Sequence, residues 1–128
     1  MSAAYKEATN ALDKRDFLYA ANKFNDAELL YPQSLWAPRA ALMGAYTYYS
    51  GNYYSDSIYE LKRFIKVYPD NKNLDYAYFL LAMNYYETIV DESKDLEPII
   101  ESKKYFEIII KNYPQTDYAV DARFKLDL

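Results

Sequence analysis

Three Tyr-Pro pairs, Tyr31-Pro32, Tyr68-Pro69 and Tyr113-Pro114, punctuate the chain at intervals of 37 and 45 residues. The residues leading into each pair keep a fixed spacing. Ala20-x3-Phe24-x7-Pro32 is followed by Ser57-x3-Leu61-x7-Pro69 and Ser102-x3-Phe106-x7-Pro114. A small residue lets two helices approach closely, and a large apolar residue one turn later fills the seam. The Pro lacks an N–H and cannot continue a helix, so it turns the chain out of it. Each pair is followed by a matching opening: PQSLWAPRAAL, PDNKNLDYAYF and PQTDYAVDARF. A chain that repeats such a unit folds as stacked copies of one supersecondary element.

The spacing is that of the second helix of a tetratricopeptide repeat. The first helix of the repeat is legible too, in Tyr78-x2-Leu81-Ala82-x2-Tyr85 and, one unit earlier, in Ala41, Gly44, Ala45 and Tyr48. In the first unit only Ala8 keeps the small position. The pattern predicts an all-α, tetratricopeptide-like right-handed solenoid of antiparallel helix pairs, about three and a half repeats long. The expected organisation is a single domain over 1–128, with repeats at 1–33, 34–70 and 71–115 and a partial fourth at 116–128. Helices are predicted over 3–14, 17–31, 35–50, 54–68, 73–90 and 97–112, with a last one from Asp117. Asp16 and Thr116 or Asp117 are the expected N-caps, and Pro38 falls in an opening turn where it is tolerated.

Two features depart from a uniform repeat. The third unit is longer than the second, and the excess falls between its two helices, near 90–98. There Asp91, Ser93, Asp95 and Glu97 alternate like the start of a calcium loop. Leu96 stands where that loop needs Gly and Ser102 where it needs Glu, so the reading is a solvated loop and no metal site. The second departure is the last helix, whose Ala122, Leu126 and Leu128 have no following helix to cover them. A natural protein that continues beyond this point is the simplest expectation, with self-association of the open end as the other.

Composition narrows the chemistry. There is no Cys and no His, which removes thiol nucleophiles, disulfides, Cys/His zinc sites and imidazole acid–base catalysis. The carboxylates alternate with Lys and Arg, as in Glu60/Lys62/Arg63, the pattern of solvated helix faces. No phosphate loop or nucleophile motif is present, so neither an enzyme nor a cofactor is expected. A net charge of −4 without a basic block argues against nucleic acid. No apolar run approaches the ~20 residues of a membrane span, and a soluble chain is expected.

Seventeen tyrosines are the compositional outlier. Tyr joins a large apolar face to a hydroxyl and suits half-buried seams and binding faces alike. Beside the packing positions Ala41, Ala45 and Tyr48 runs a second stripe, Arg39, Leu42, Tyr46 and Tyr49. Its counterpart in the third unit is Tyr76, Phe79, Met83 and Tyr86; in the first it is the weaker Tyr5, Thr9 and Leu12. First helices line the concave side of such solenoids. The candidate peptide groove is therefore Tyr5, Arg39, Leu42, Tyr46, Tyr49, Tyr76, Phe79, Met83 and Tyr86, with Arg39 its single cation. Aromatic side chains give contact area at low entropic cost, and Arg can clamp a carboxylate with two hydrogen bonds.

The run LWAPRAALMGAYTYYSGNYYSDSIYELKRFIKVYPDNKNLDYAYFLLAMNYYETIVD, with the later YFEIIIKNYPQTDYAVDARFKLDL, resembles the BamD (ComL-type) lipoprotein family of the bacterial β-barrel assembly machinery. The form looks closest to alphaproteobacterial members. The resemblance covers essentially the whole chain and includes the extended third unit. It implies a lipid-anchored, non-catalytic protein at the periplasmic face of the outer membrane. The implied partners are targeting peptides of unfolded β-barrel precursors, other subunits of the assembly complex and, in some members, an extended segment of a partner lipoprotein. The implied pocket lies in the N-terminal repeats and takes a peptide ending in an aromatic residue; by position, Arg39, Leu42, Tyr46, Tyr49, Tyr76, Phe79 and Met83 line it. The family's anchoring Cys and last repeats are absent from this sequence, which puts anchoring and docking to the barrel subunit in doubt. The other reading is a general peptide-binding adaptor or scaffold of the cell envelope.

Overall fold

The computed structural model describes residues 3–89 and 95–127. These residues form seven α-helices and no strand: α1 (Ala3–Asp13), α2 (Phe17–Leu30), α3 (Trp36–Ser50), α4 (Tyr54–Val67), α5 (Leu74–Ile89), α6 (Glu97–Asn112) and α7 (Asp117–Leu126). The all-α expectation holds, and the helix ends lie within a residue or two of those read from the sequence. The Tyr of each Tyr-Pro pair is the C-cap of α2, α4 or α6.

The chain divides into two compact units, Met1–Pro69 and Asp70–Leu128. In the first unit α2 packs on α1 and α3, and α3 packs on α4. The small and large positions of the repeat meet there as the spacing requires: Ala20, Phe24, Ser57 and Leu61 are all fully buried. Ser57 does more than leave room, because its Oγ donates to the Ala45 carbonyl at 2.8 Å and ties α4 to α3.

Both hairpins of this unit turn through the same motif. Arg15 (φ 62°) and Asn52 (φ 68°) are left-handed. Arg15 N–H donates to Leu12 O and Asp16 N–H to Ala11 O, just as Asn52 N–H donates to Tyr49 O and Tyr53 N–H to Tyr48 O. This is the Schellman closure, which satisfies the last helical carbonyls. Gly51 precedes the second turn because Phe17 of α2 lies against it: a Cβ there would stand 2.8 Å from Phe17 Cβ and Cγ.

In the second unit α6 packs on α5 and α7, and α5 also meets α7. Ala77, Leu81, Ala82, Phe106 and Ile109 form its centre. Thr116 caps α7 as expected, its Oγ1 accepting from Ala119 N–H at 3.2 Å. Asp16 occupies the N-cap position of α2 but makes no side-chain cap bond.

The exposed end of α7 differs from the sequence reading. Ala122 is fully buried, since it lies with Ala119 on the face that closes on the rest of the unit. Leu126 is half-buried, and Leu128 lies outside the described residues. The open apolar side chains are instead Val120 (62% exposed) and Phe124 (65%), one turn apart on the opposite face. Of the calcium-like alternation, Asp91 and Ser93 lie outside the described residues. Asp95 Oδ1 accepts from Glu97 N–H at 3.0 Å, a local turn that starts α6.

Candidate peptide-binding face

The predicted face residues do not share one environment. In the first unit they organise around a residue the stripe reading omitted, Trp36, the only tryptophan. Trp36 opens α3, one turn before Arg39. The Arg39 guanidinium lies over its ring, 5.0 Å from the centroid. Tyr5 of α1 meets Trp36 edge-on at 5.6 Å and Phe24 of α2 edge-on at 5.3 Å. Phe24, Tyr5, Trp36 and Arg39 therefore form a continuous stack ending in an exposed cation. Burial pushes the Tyr5 hydroxyl above its ordinary pKa and the Arg39 charge pulls it back, so the phenol stays neutral beside the guanidinium.

Further along α3, Tyr46 is exposed (38%). Tyr49 is half-buried and meets Tyr54 of α4 edge-on at 5.9 Å. Leu42 is a correction to the open stripe: at 9% exposure it belongs to the core, where it supports this face from beneath. A helix of small residues, with Ala37, Ala40, Ala41 and Ala45 buried, sits close enough to its neighbours to cover Leu42 as well.

The second unit treats its stripe differently. Tyr76 and Phe79 of α5 both pack against Tyr118 of α7, at 5.7 and 5.1 Å between ring centroids. Phe79 and Tyr86 both meet Phe106 of α6 edge-on, at 6.2 and 6.1 Å. Met83 is half-buried among these positions. Arg39 is not the only cation on an aromatic face: Lys125 Nζ lies 5.7 Å from the Tyr86 ring centroid while paired with Asp121 at 2.9 Å. A cavity of about 390 Å³ opens beside Tyr86, between Ile89, Ile99, Phe106 and Leu126. The α5 stripe is thus largely a seam between helices.

The residues missed by the stripe reading left signals. Trp36 extends the Arg39 stripe back by one turn. Tyr118 stands in a second Asp-Tyr-Ala, repeating Asp75-Tyr76-Ala77 as Asp117-Tyr118-Ala119. Among the described residues no group of three or more carboxylates could hold a metal ion, and no helix is long and apolar enough to cross a membrane.

The family model of YfiO, described as outer membrane lipoprotein, matches residues 1–128, the full length of the chain. This chain belongs to the YfiO family. Among the curated relatives, the outer membrane protein assembly factor BamD of Caulobacter vibrioides is 36% identical over 97% of this chain and 41% of its own length. That of Rickettsia prowazekii is 34% identical over all of this chain and 51% of its own length. That of Xylella fastidiosa is 27% identical over 93% of this chain and 44% of its own length. The chain therefore spans about half the length of the curated relatives it matches.

Proposed function

We propose that this YfiO-family chain is a non-catalytic peptide-holding part of outer-membrane β-barrel assembly, and that it receives extended segments of barrel precursors on the α1/α3 face. The role for which the Caulobacter and Rickettsia relatives are named, assembly of outer membrane proteins, supports the process. The family description as outer membrane lipoprotein supports a place at that membrane; its periplasmic side is part of the proposal. The observation that carries the site is the Tyr5–Trp36–Arg39 stack. It offers two aromatic faces and a guanidinium with its hydrogen-bonding edge available, on rigid helices rather than on a loop. An apolar or aromatic side chain packs on the rings, while the guanidinium takes a carboxylate in bidentate fashion. Tyr46 and Tyr49 extend the same face along α3. Other subunits of the assembly complex are the expected neighbours of the whole protein.

Titration of a barrel C-terminal peptide, with and without its terminal aromatic residue, tests the reading through Trp36 fluorescence. Removal of the aromatic is expected to weaken binding at least tenfold, by the ~1.5–3 kcal/mol that burying such a side chain contributes. Equal binding of the two peptides would falsify the aromatic face.

A further inference from the structure

One turn along α2 from Phe24 lies a polar cluster that the proposed binding face does not use. Glu28 of α2 is only 6% exposed. Arg63 of α4 grips it with two hydrogen bonds, Nη1 to Oε2 at 3.0 Å and Nη2 to Oε1 at 2.6 Å. Arg63 Nε and Nη2 also donate to Glu60 Oε2 at 3.1 and 2.9 Å. Tyr68, the C-cap of α4, donates its hydroxyl to Glu28 Oε2 at 2.6 Å and rests its ring against Phe64 at 5.3 Å. The Glu28 carboxylate, above all, holds Arg63 firmly in its charged form. Burial first, then Glu28, pushes the Tyr68 hydroxyl up to about 12.

The repeat does not demand this chemistry. Counted from the Tyr-Pro pair, Ile65 and Ile110 stand where Glu28 stands, and Ile108 stands where Arg63 stands. A buried ion pair is also a weak source of stability, because desolvation offsets much of the attraction, and apolar replacement of both partners is often neutral. What the cluster adds is direction. It joins the second helices of two successive repeats, which otherwise pack on α1 and α3 rather than on each other. Glu28 lies one turn from Phe24 on α2. Phe24 carries the Tyr5 ring, Tyr5 carries Trp36, and Trp36 carries Arg39.

We infer that the Glu28–Arg63–Tyr68 clasp sets the position of α2, and through Phe24 and Tyr5 the pose of the Trp36–Arg39 shelf, making Glu28 and Arg63 positioning residues for the binding face. A short-range, directional tie fixes one helix placement, whereas apolar contacts at the same site tolerate sliding. The inference rests on the proposed function only for the peptide readout below.

The test compares the wild type with Arg63→Ile and with the pair Glu28→Ile/Arg63→Ile, which copies the residues of the next repeats. The single change leaves Glu28 buried without its counter-ion and is expected to lower the melting midpoint by roughly 10 °C or more. The pair is expected to return the midpoint to within about 5 °C of wild type. In the pair, Trp36 emission should nevertheless shift to the red with stronger iodide quenching, and peptide affinity should fall roughly three- to tenfold. A pair with wild-type stability, emission and quenching would overturn the clasp as a positioning device. If the pair fails to refold, Tyr68→Phe decides: it removes one bond to Glu28 and should give a smaller Trp36 shift of the same sign, and no shift overturns the proposal. If the wild type binds no peptide, the functional reading fails while Trp36 emission still judges the clasp.

Discussion

The two units of this chain are built from one repeat but use their aromatic residues in opposite ways. In Met1–Pro69 the rings of Tyr5 and Trp36 stand between a buried Phe24 and an exposed Arg39, so the stack leads outward. In Asp70–Leu128 the rings of Tyr76, Phe79 and Tyr86 close onto Tyr118 and Phe106, so the stack leads inward. The first unit also carries a polar clasp, Glu28 with Arg63, where the second unit has Ile110 and Ile108. The lesson is that the same spacing on a first helix can mark a surface or a seam. The deciding factor is whether a neighbouring helix supplies a ring to meet it.

The comparison breaks most visibly at the hub of the second unit. Phe106 is almost fully buried and meets both Phe79 and Tyr86. Phe106→Ala is expected to cost about 3–5 kcal/mol in urea unfolding. Next in size is the contrast between Tyr86→Ala and Tyr46→Ala. Loss of the packed Tyr86 ring should cost about 2–3 kcal/mol, and loss of the exposed Tyr46 ring less than about 1 kcal/mol. Equal costs by thermal melting would erase the distinction between seam and surface.

Two glycines sharpen the picture within the first unit. Gly51→Ala drives a Cβ to 2.8 Å from Phe17 and should destabilise by about 1–3 kcal/mol. Gly44→Ala meets only ordinary contacts, 3.6 Å from Phe24 Cβ and Asn25 Oδ1, and should stabilise by about 0.5–1 kcal/mol through helix propensity. Denaturant midpoints of opposite sign are the check. Smaller still is Arg15→Gly, which relieves a left-handed φ of 62° at the cost of a cation–π contact with Phe17 and should gain about 0.5 kcal/mol.

The clasp also has a signature in alkali. Tyr68 is neutral in the folded protein up to about 12, whereas an unfolded tyrosine ionises near 10. Between these values the folded state holds the extra proton, so stability falls as pH rises through this window and is fully present below it. Tyr68→Phe should flatten that decline in a melting series across the window, relative to wild type.

Much of this fold could be read from the chain because the repeat encodes it locally. The small-x3-large-x7-Pro spacing located α2, α4 and α6, and the repeated opening PQTDYAVDARF located the start of α7. The Schellman turn at Arg15 was not legible, since Arg is a poor left-handed residue and only the following backbone bonds reveal it. The face was legible in part. Arg39 and Tyr46 emerge on the surface as their spacing implies. Leu42 was not separable from them, because periodicity gives an angle around the helix and not the depth of the neighbours. The clasp was hidden for a different reason: Glu28 and Arg63 are 35 residues apart and look like ordinary surface charges until α2 and α4 come together. The outward exposure of Val120 and Phe124 was missed because alanine, not leucine, marks the buried side of α7.

The most direct test of the central claim is a calorimetric titration of a peptide ending in Phe, as free acid and as amide, into wild type and Arg39→Gln. A carboxylate gripped by the guanidinium on the Trp36 shelf contributes about 1.5–3 kcal/mol. The wild type should therefore bind the free acid at least tenfold tighter than the amide, and Arg39→Gln should bind the two alike. Equal affinity of wild type for acid and amide would contradict the account.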